Sequence, residues 1–184
     1  MRIITSIGPI GSGKDTVIKY LSEKHGFKVI SMGDIVREIA ASKSIPATRE
    51  NLHKISDDYF KKYGKKYFIN KVVEAIKADK TADKVAVTGL RTPIDVKTMK
   101  KEFGKQFVLI FVDMSDPKVR FERLRSRKET RDPQAWEEFL KQNEEEEQLF
   151  CLSKTHKMAD RVIYNDGGLE DLYKKVDELE QALK

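Results

Sequence analysis

The run Gly8-Pro9-Ile10-Gly11-Ser12-Gly13-Lys14-Asp15-Thr16 constrains this chain more than any other segment. It follows 2–7, an isoleucine-rich stretch with little polar alternation, which reads as a buried parallel strand. It precedes 14–25, where Val17, Ile18 and Leu21 share one side and Gly26 marks the stop of a helix. Between a strand and a helix, glycines at 8, 11 and 13 let the backbone curl so that successive N–H groups point inward. The helix N-terminus adds partial positive charge, and Lys14 adds a mobile ammonium group. The chemistry this suits is phosphate binding, with Gly8, Gly11, Ser12, Gly13, Lys14, Asp15 and Thr16 as the cradle. A plain hairpin turn would have no use for a lysine at that spacing.

The rest of the chain repeats the strand–helix alternation. Strands are predicted at 27–31, 84–88, 106–113 and 160–164. Helices are predicted at 34–41, 48–63, 65–78, from 93 to just before Gly104, from 116 onward, at 136–150, and from 169 to the end. Such alternation predicts a five-stranded parallel sheet covered by helices on both faces, an α/β fold of three layers. The stripe Leu169, Leu172, Val176, Leu179 and Leu183 reads as core packing. The acidic run 144–147 reads as a solvated helix face.

Composition narrows the setting. The 184 residues suit one domain with a real core. Cys151 is the single cysteine, so no internal disulfide can form, in keeping with a reducing cytoplasm. No apolar run has the length of a membrane span, and no leader pattern opens the chain. The net charge of +6 is dispersed among 30 acids rather than gathered in a patch, which favours a small anionic partner over nucleic acid or a membrane. Cytoplasmic location as a monomer or homodimer is the expectation.

On these motifs the chain resembles the nucleoside monophosphate kinases, nearest to archaeal adenylate-kinase-related and dephospho-CoA-kinase-like proteins. The resemblance implies a P-loop NTPase fold with a short arginine-rich lid. It divides the chain into a core (1–33, 84–118 and 158–184), an acceptor-binding helical segment (34–80) and a lid region (119–150). Adenylate kinases often carry glycine and then threonine after the loop lysine; here Asp15 and Thr16 follow Lys14. The segment Ser31-Met32-Gly33-Asp34-Ile35-Val36-Arg37 is similar to one in which an arginine grips the acceptor phosphate, which makes Arg37 an acceptor residue. Val87-Thr88-Gly89-Leu90-Arg91 resembles a strand-end motif, which adds Gly89 and Arg91. That motif usually carries an acid where Thr88 stands.

Arg120, Arg123 and Arg127 recur at helical spacing on one face, where three cations repel one another unless anions answer them. In the resembled family such arginines form a lid, and Arg123, Arg127 and Arg131 fall where it closes over the transferring phosphoryl group. Arg123, with the loop of Asn165 and Gly167, falls where the donor base is met. Lys14, Arg123, Arg127, Arg131 and Asp34 are thereby implied to be catalytic. Thr16 and Asp34 are implied to hold Mg2+, largely through water, with ATP as donor. The activity implied is γ-phosphoryl transfer to a nucleotide-like acceptor, first a nucleoside monophosphate. The alternatives are dephospho-CoA as acceptor, and a non-catalytic nucleotide-binding regulator. His25, His53 and His156 have no metal-ligand spacing and read as surface residues.

Overall fold

A computed structural model describes residues 1–127 and 132–183, the Arg49 side chain apart. Strands β1 (Arg2–Ile7), β2 (Lys28–Ser31), β3 (Lys84–Thr88), β4 (Phe107–Asp113) and β5 (Arg161–Tyr164) form one sheet in the order β2-β3-β1-β4-β5. Every neighbouring pair is parallel. The helices are α1 (Lys14–His25), α2 (Met32–Ser42), α3 (Arg49–Tyr63), α4 (Tyr67–Ala78), α5 (Pro93–Phe103), α6 (Pro117–Arg127), α7 (Trp136–Phe150), α8 (Leu152–His156) and α9 (Leu169–Ala182).

The apolar strands are buried on both sides. Ile3, Val85, Val87, Phe107, Leu109 and Phe111 face one way and pack on residues of α4, α5 and α8 such as Ile69, Val72, Val96, Met99 and Leu152. Their neighbours Ile4, Ala86, Val108, Ile110 and Val112 face the other way, onto Val17, Ile18 and Leu21 of α1 and Leu172, Val176 and Leu179 of α9. Burial on both faces explains why these strands read as continuous apolar runs rather than alternating ones. A smaller cluster, Val36, Ala40, Ile55 and Phe68, binds α2, α3 and α4 to one another. Strands connected to both sides of β1 leave a crevice at the carboxyl edge of the sheet, and the glycine-rich loop lies there.

Some local readings need correction. Helix α2 starts at Met32, two residues earlier than expected, because Ser31 caps it: the Ser31 hydroxyl accepts from the Asp34 amide at 3.2 Å. Asp34 is therefore a first-turn acid. His25 is not a free surface residue. Its Nε2 meets Asp177 at 2.6 Å, and Tyr20 donates to the same carboxylate at 3.1 Å. Beside them Glu180, 1% exposed, accepts from Arg2 and Lys84 at 2.8 and 2.9 Å. This polar cluster ties α9 to the starts of β1 and β3, at the end of the sheet opposite the loop. Among the described residues no helix is long and apolar enough to cross a membrane.

Asp79 joins the start of β2 to the turn before β3. It accepts from Lys28 at 2.6 Å, from the Thr81 amide and hydroxyl at 2.9 and 2.8 Å, and from the Ala82 amide at 3.2 Å. The Lys28 ammonium group foremost, then these donors, hold its carboxyl well below the usual carboxylate range. The fold therefore favours the ionised form. Its contribution is present above the unfolded pKa of about 3.9 and is lost as pH falls toward the lowered folded value. Melting midpoints followed by circular dichroism from neutral pH into acid should fall more steeply in the wild type than in Asp79→Asn. Parallel curves would contradict this.

Candidate phosphate-binding site

The loop is shaped by what its glycines allow and by what grips its carbonyls. A Cβ on Gly8 would lie 2.1 Å from the Val112 carbonyl oxygen and 2.7 Å from Ser12 Oγ, so only glycine lets the exit of β1 press against β4. Gly11 and Gly13 take left-handed φ values of 78° and 93°. The Ser6 hydroxyl donates to the Lys14 carbonyl at 2.7 Å, and Asn165 Nδ2 donates to the Ser12 carbonyl at 2.8 Å. Arg120 donates to the Ile10 carbonyl at 3.0 Å, and the Val17 amide donates to the Gly13 carbonyl at 3.1 Å. With these carbonyls turned into the protein, the first-turn amides of α1, at Lys14, Asp15 and Thr16, have no intrahelical partner and are available to an anion. The Ser12 hydroxyl is fully buried and has no hydrogen-bond partner among the described residues.

Lys14 sits in a crowded electrostatic setting. Burial pulls its pKa below the ordinary lysine value; Asp15 and Glu146 push it back up, while Arg91 and Arg127 push it further down. Two acids and two further cations are thus close enough to matter to one ammonium group. Asp15 itself is exposed in the first turn of α1, where the helix dipole favours it.

The arginines of α6 do not form a common array of free cations. Arg120 is buried, stacks on Phe139 at 5.2 Å, and donates to Asn143 at 2.8 Å as well as to Ile10. Its pKa is lowered by burial, with Asp113 and Glu146 opposing. Arg123 donates to the Gly167 carbonyl at 2.8 Å, which places it on the loop after β5. Arg127 makes a two-pronged contact with buried Asp132, at 3.1 and 2.9 Å. The mutual repulsion expected of three cations on one helix face is answered within the chain. Arg131 lies outside the described residues.

At the start of α2, Arg37 is engaged by Asp34 through both Nε, at 2.9 Å, and Nη2. Both side chains are more than half exposed. Gly89, at φ 86°, brings the end of β3 against the start of α2, where a Cβ would meet Met32 Cβ at 3.1 Å. Thr88 pairs in register with Ser31. Arg91 lies 4.9 Å over the Phe150 ring and 3.9 Å from Glu146. Among the described residues no group of three or more His, Cys, Asp or Glu is placed to hold a metal. Magnesium at phosphate sites takes few protein ligands and completes its shell with water and phosphate oxygens, so Thr16 on the first turn of α1 fits that pattern. Asp34 fits it less well while Arg37 occupies its carboxylate. The Asn165 side chain is committed to Ser12, and its amide to the Asp113 carbonyl at 2.8 Å, so this residue buttresses the phosphate loop.

Two residues that hold the loop, Asn143 and Glu146, lay outside the sequence reading, whereas Arg120 belongs to the arginine set of α6. Arg120 and Asn143 clamp the loop, and Glu146 reaches it directly: its Oε2 accepts from the Ile10 amide at 3.1 Å. The acidic run 144–147 is therefore not wholly solvated, since Glu146 turns inward while Glu144 and Glu145 stay exposed. The available signal was spacing. Phe139, Asn143, Glu146 and Phe150 recur at intervals of four, three and four, the inner stripe of a helix.

The sheet order, the glycine-rich loop and the helices on both faces define a P-loop NTPase fold of the small-kinase type. A family model described as an AAA domain matches residues 7–140. The chain belongs to the UPF0200 family: it is 34% identical to the UPF0200 protein of Thermococcus onnurineus over 98% of its own length and 97% of that protein's. Among solved structures, shikimate kinase from Acinetobacter baumannii in complex with shikimate superposes with a TM-score of 0.59. That match has 16% identity and covers 100% of this chain and 95% of that one. A gluconokinase from Sinorhizobium meliloti gives a TM-score of 0.54 at 15% identity, covering 99% and 94%. These likenesses show the fold.

Gly8→Ala tests the tight exit of β1. The added methyl would force backbone apart rather than a flexible side chain, so a stability loss of about 2–3 kcal/mol is expected by urea denaturation. A midpoint equal to the wild type would show that the β1–β4 approach is looser than described.

Proposed function

We propose that this chain is an ATP-dependent small-molecule kinase that transfers the γ-phosphoryl group to a nucleotide-like acceptor. The observation that carries the reading is the loop itself. Its carbonyls are held by Ser6, Asn165, Arg120 and Val17, its helix-end amides are left open, and Lys14 stands among further cations. The likeness of the fold to a shikimate kinase and a gluconokinase supports phosphoryl transfer as the reaction class.

In this reading the loop amides and Lys14 hold the triphosphate, with in-line transfer driven by positioning and charge neutralisation. Arg123 and the Gly167 loop meet the donor base. Arg127 and Arg131 close over the phosphoryl group and exclude water. Arg37 and Arg91, backed by Gly89, hold the acceptor. Thr16 would hold magnesium largely through water, and the ion would neutralise charge on the phosphate oxygens. A nucleoside monophosphate is the first acceptor class. Dephospho-CoA is the second, favoured by the carboxylate that Asp34 presents beside Arg37, which suits a hydroxyl acceptor. We place the protein in the cytoplasm, acting on small molecules as a monomer or homodimer.

The test is ADP release with Mg-ATP against a panel of nucleoside monophosphates and dephospho-CoA. One acceptor should stimulate release well above the acceptor-free rate. Lys14→Ala should lower stimulated turnover at least about 100-fold with an unchanged circular dichroism spectrum. A folded Lys14→Ala variant with wild-type turnover would refute the assignment.

A further inference from the structure

Glu146 is placed where a phosphate oxygen would be expected. One carboxylate oxygen accepts from the Ile10 amide at the strand-side lip of the loop, and the other lies 3.9 Å from Arg91. The side chain is 22% exposed, so it is lodged rather than trailing in water. Its charge is felt by Lys14 and by Arg120. A group moving from the loop to an acceptor held by Arg91 must pass through the interval between the Ile10 amide and that guanidinium. The Glu146 carboxylate spans the interval from end to end.

We propose that Glu146 is an internal anion occupying the subsite of the third phosphate, and that it sets the preference of the site between nucleoside triphosphate and diphosphate. The inference rests on the loop being the nucleotide site. A diphosphate lies along the helix-side amides and Lys14 and leaves Glu146 in place. A triphosphate brings new negative charge to the strand-side lip, where like charges at hydrogen-bond range repel, and the carboxylate must leave. Its departure does not unmake the loop. Arg120 still holds the Ile10 carbonyl, and Asn143, one turn earlier on α7, still holds Arg120. It also releases Arg91, so entry of the triphosphate frees a cation for the acceptor.

Calorimetric titration of Mg-ATP and Mg-ADP into wild type, Glu146→Gln and Glu146→Ala separates the possibilities. Glutamine keeps an acceptor for the Ile10 amide and removes only the charge, so it guards against a folding defect in the alanine variant. Glu146→Gln should bind ATP at least about tenfold tighter (~1.4 kcal/mol), with ADP affinity changing by less than about threefold. Unchanged or weakened ATP binding would overturn the proposal, and weakening would show that the carboxylate draws in the cation instead. Equal tightening for ADP would also overturn it, because Glu146 would then act on the loop as a whole. If the wild type binds ATP and the variant binds it no better, this inference falls and the kinase reading stands. If neither nucleotide binds any of the three proteins, both fall.

Discussion

Everything at the carboxyl edge of this sheet depends on how one short loop is kept open. Backbone carbonyls near a site for phosphate would repel it, so the chain must turn them away and hold them. It does so with groups from four directions: Ser6 from β1, Arg120 from α6, Asn165 from beyond β5, and the first turn of α1 itself. Gly8 makes the arrangement sterically feasible by allowing β1 to exit against the Val112 carbonyl. The loop is thus less a flexible glycine turn than a backbone fixed from outside, with its donors oriented before any ligand arrives.

The same economy governs the charges. Cations gathered to bind a polyanion would destabilise the empty fold if left unanswered. Here each described arginine of the site has an internal partner: Arg37 with Asp34, Arg127 with Asp132, Arg91 with Glu146, and Arg120 and Arg123 with carbonyls. The exposed pairs are worth little each and are easily exchanged for ligand oxygens. The buried contacts of Arg120 and Asp132 belong to the scaffold. Burial therefore sorts residues that a sequence presents as one arginine cluster into those that shape the loop and those free to change partners.

The central fold could be read from the chain because its signals are local. Apolar strands buried on both faces, a glycine loop between strand and helix, and capping residues such as Thr92 before Pro93 each declare themselves within a few residues. The site was readable where chemistry demands a fixed spacing, as in Gly8 to Thr16. It was not readable where the partner is distant in sequence. The contact of Glu146 with Ile10 spans 136 positions, and that of Asn165 with Ser12 spans 153. Charge alone made Glu146 look like its exposed neighbours, although its position in the Phe139–Phe150 stripe set it apart. The start of α2 was misread for a related reason: the extended backbone of Ser31 lets its hydroxyl meet the Asp34 amide, so the helix opens two residues before Asp34.

The proposed function requires the main-chain amides at the start of α1 to grip a triphosphate. The most direct measurement is residue-resolved amide NMR during titration with Mg-ATP. Large, saturable shifts are expected for Gly11, Ser12, Gly13, Lys14, Asp15 and Thr16, with the Glu180 end of the sheet unmoved. Saturable shifts that spare these six amides and cluster elsewhere would contradict the proposed function.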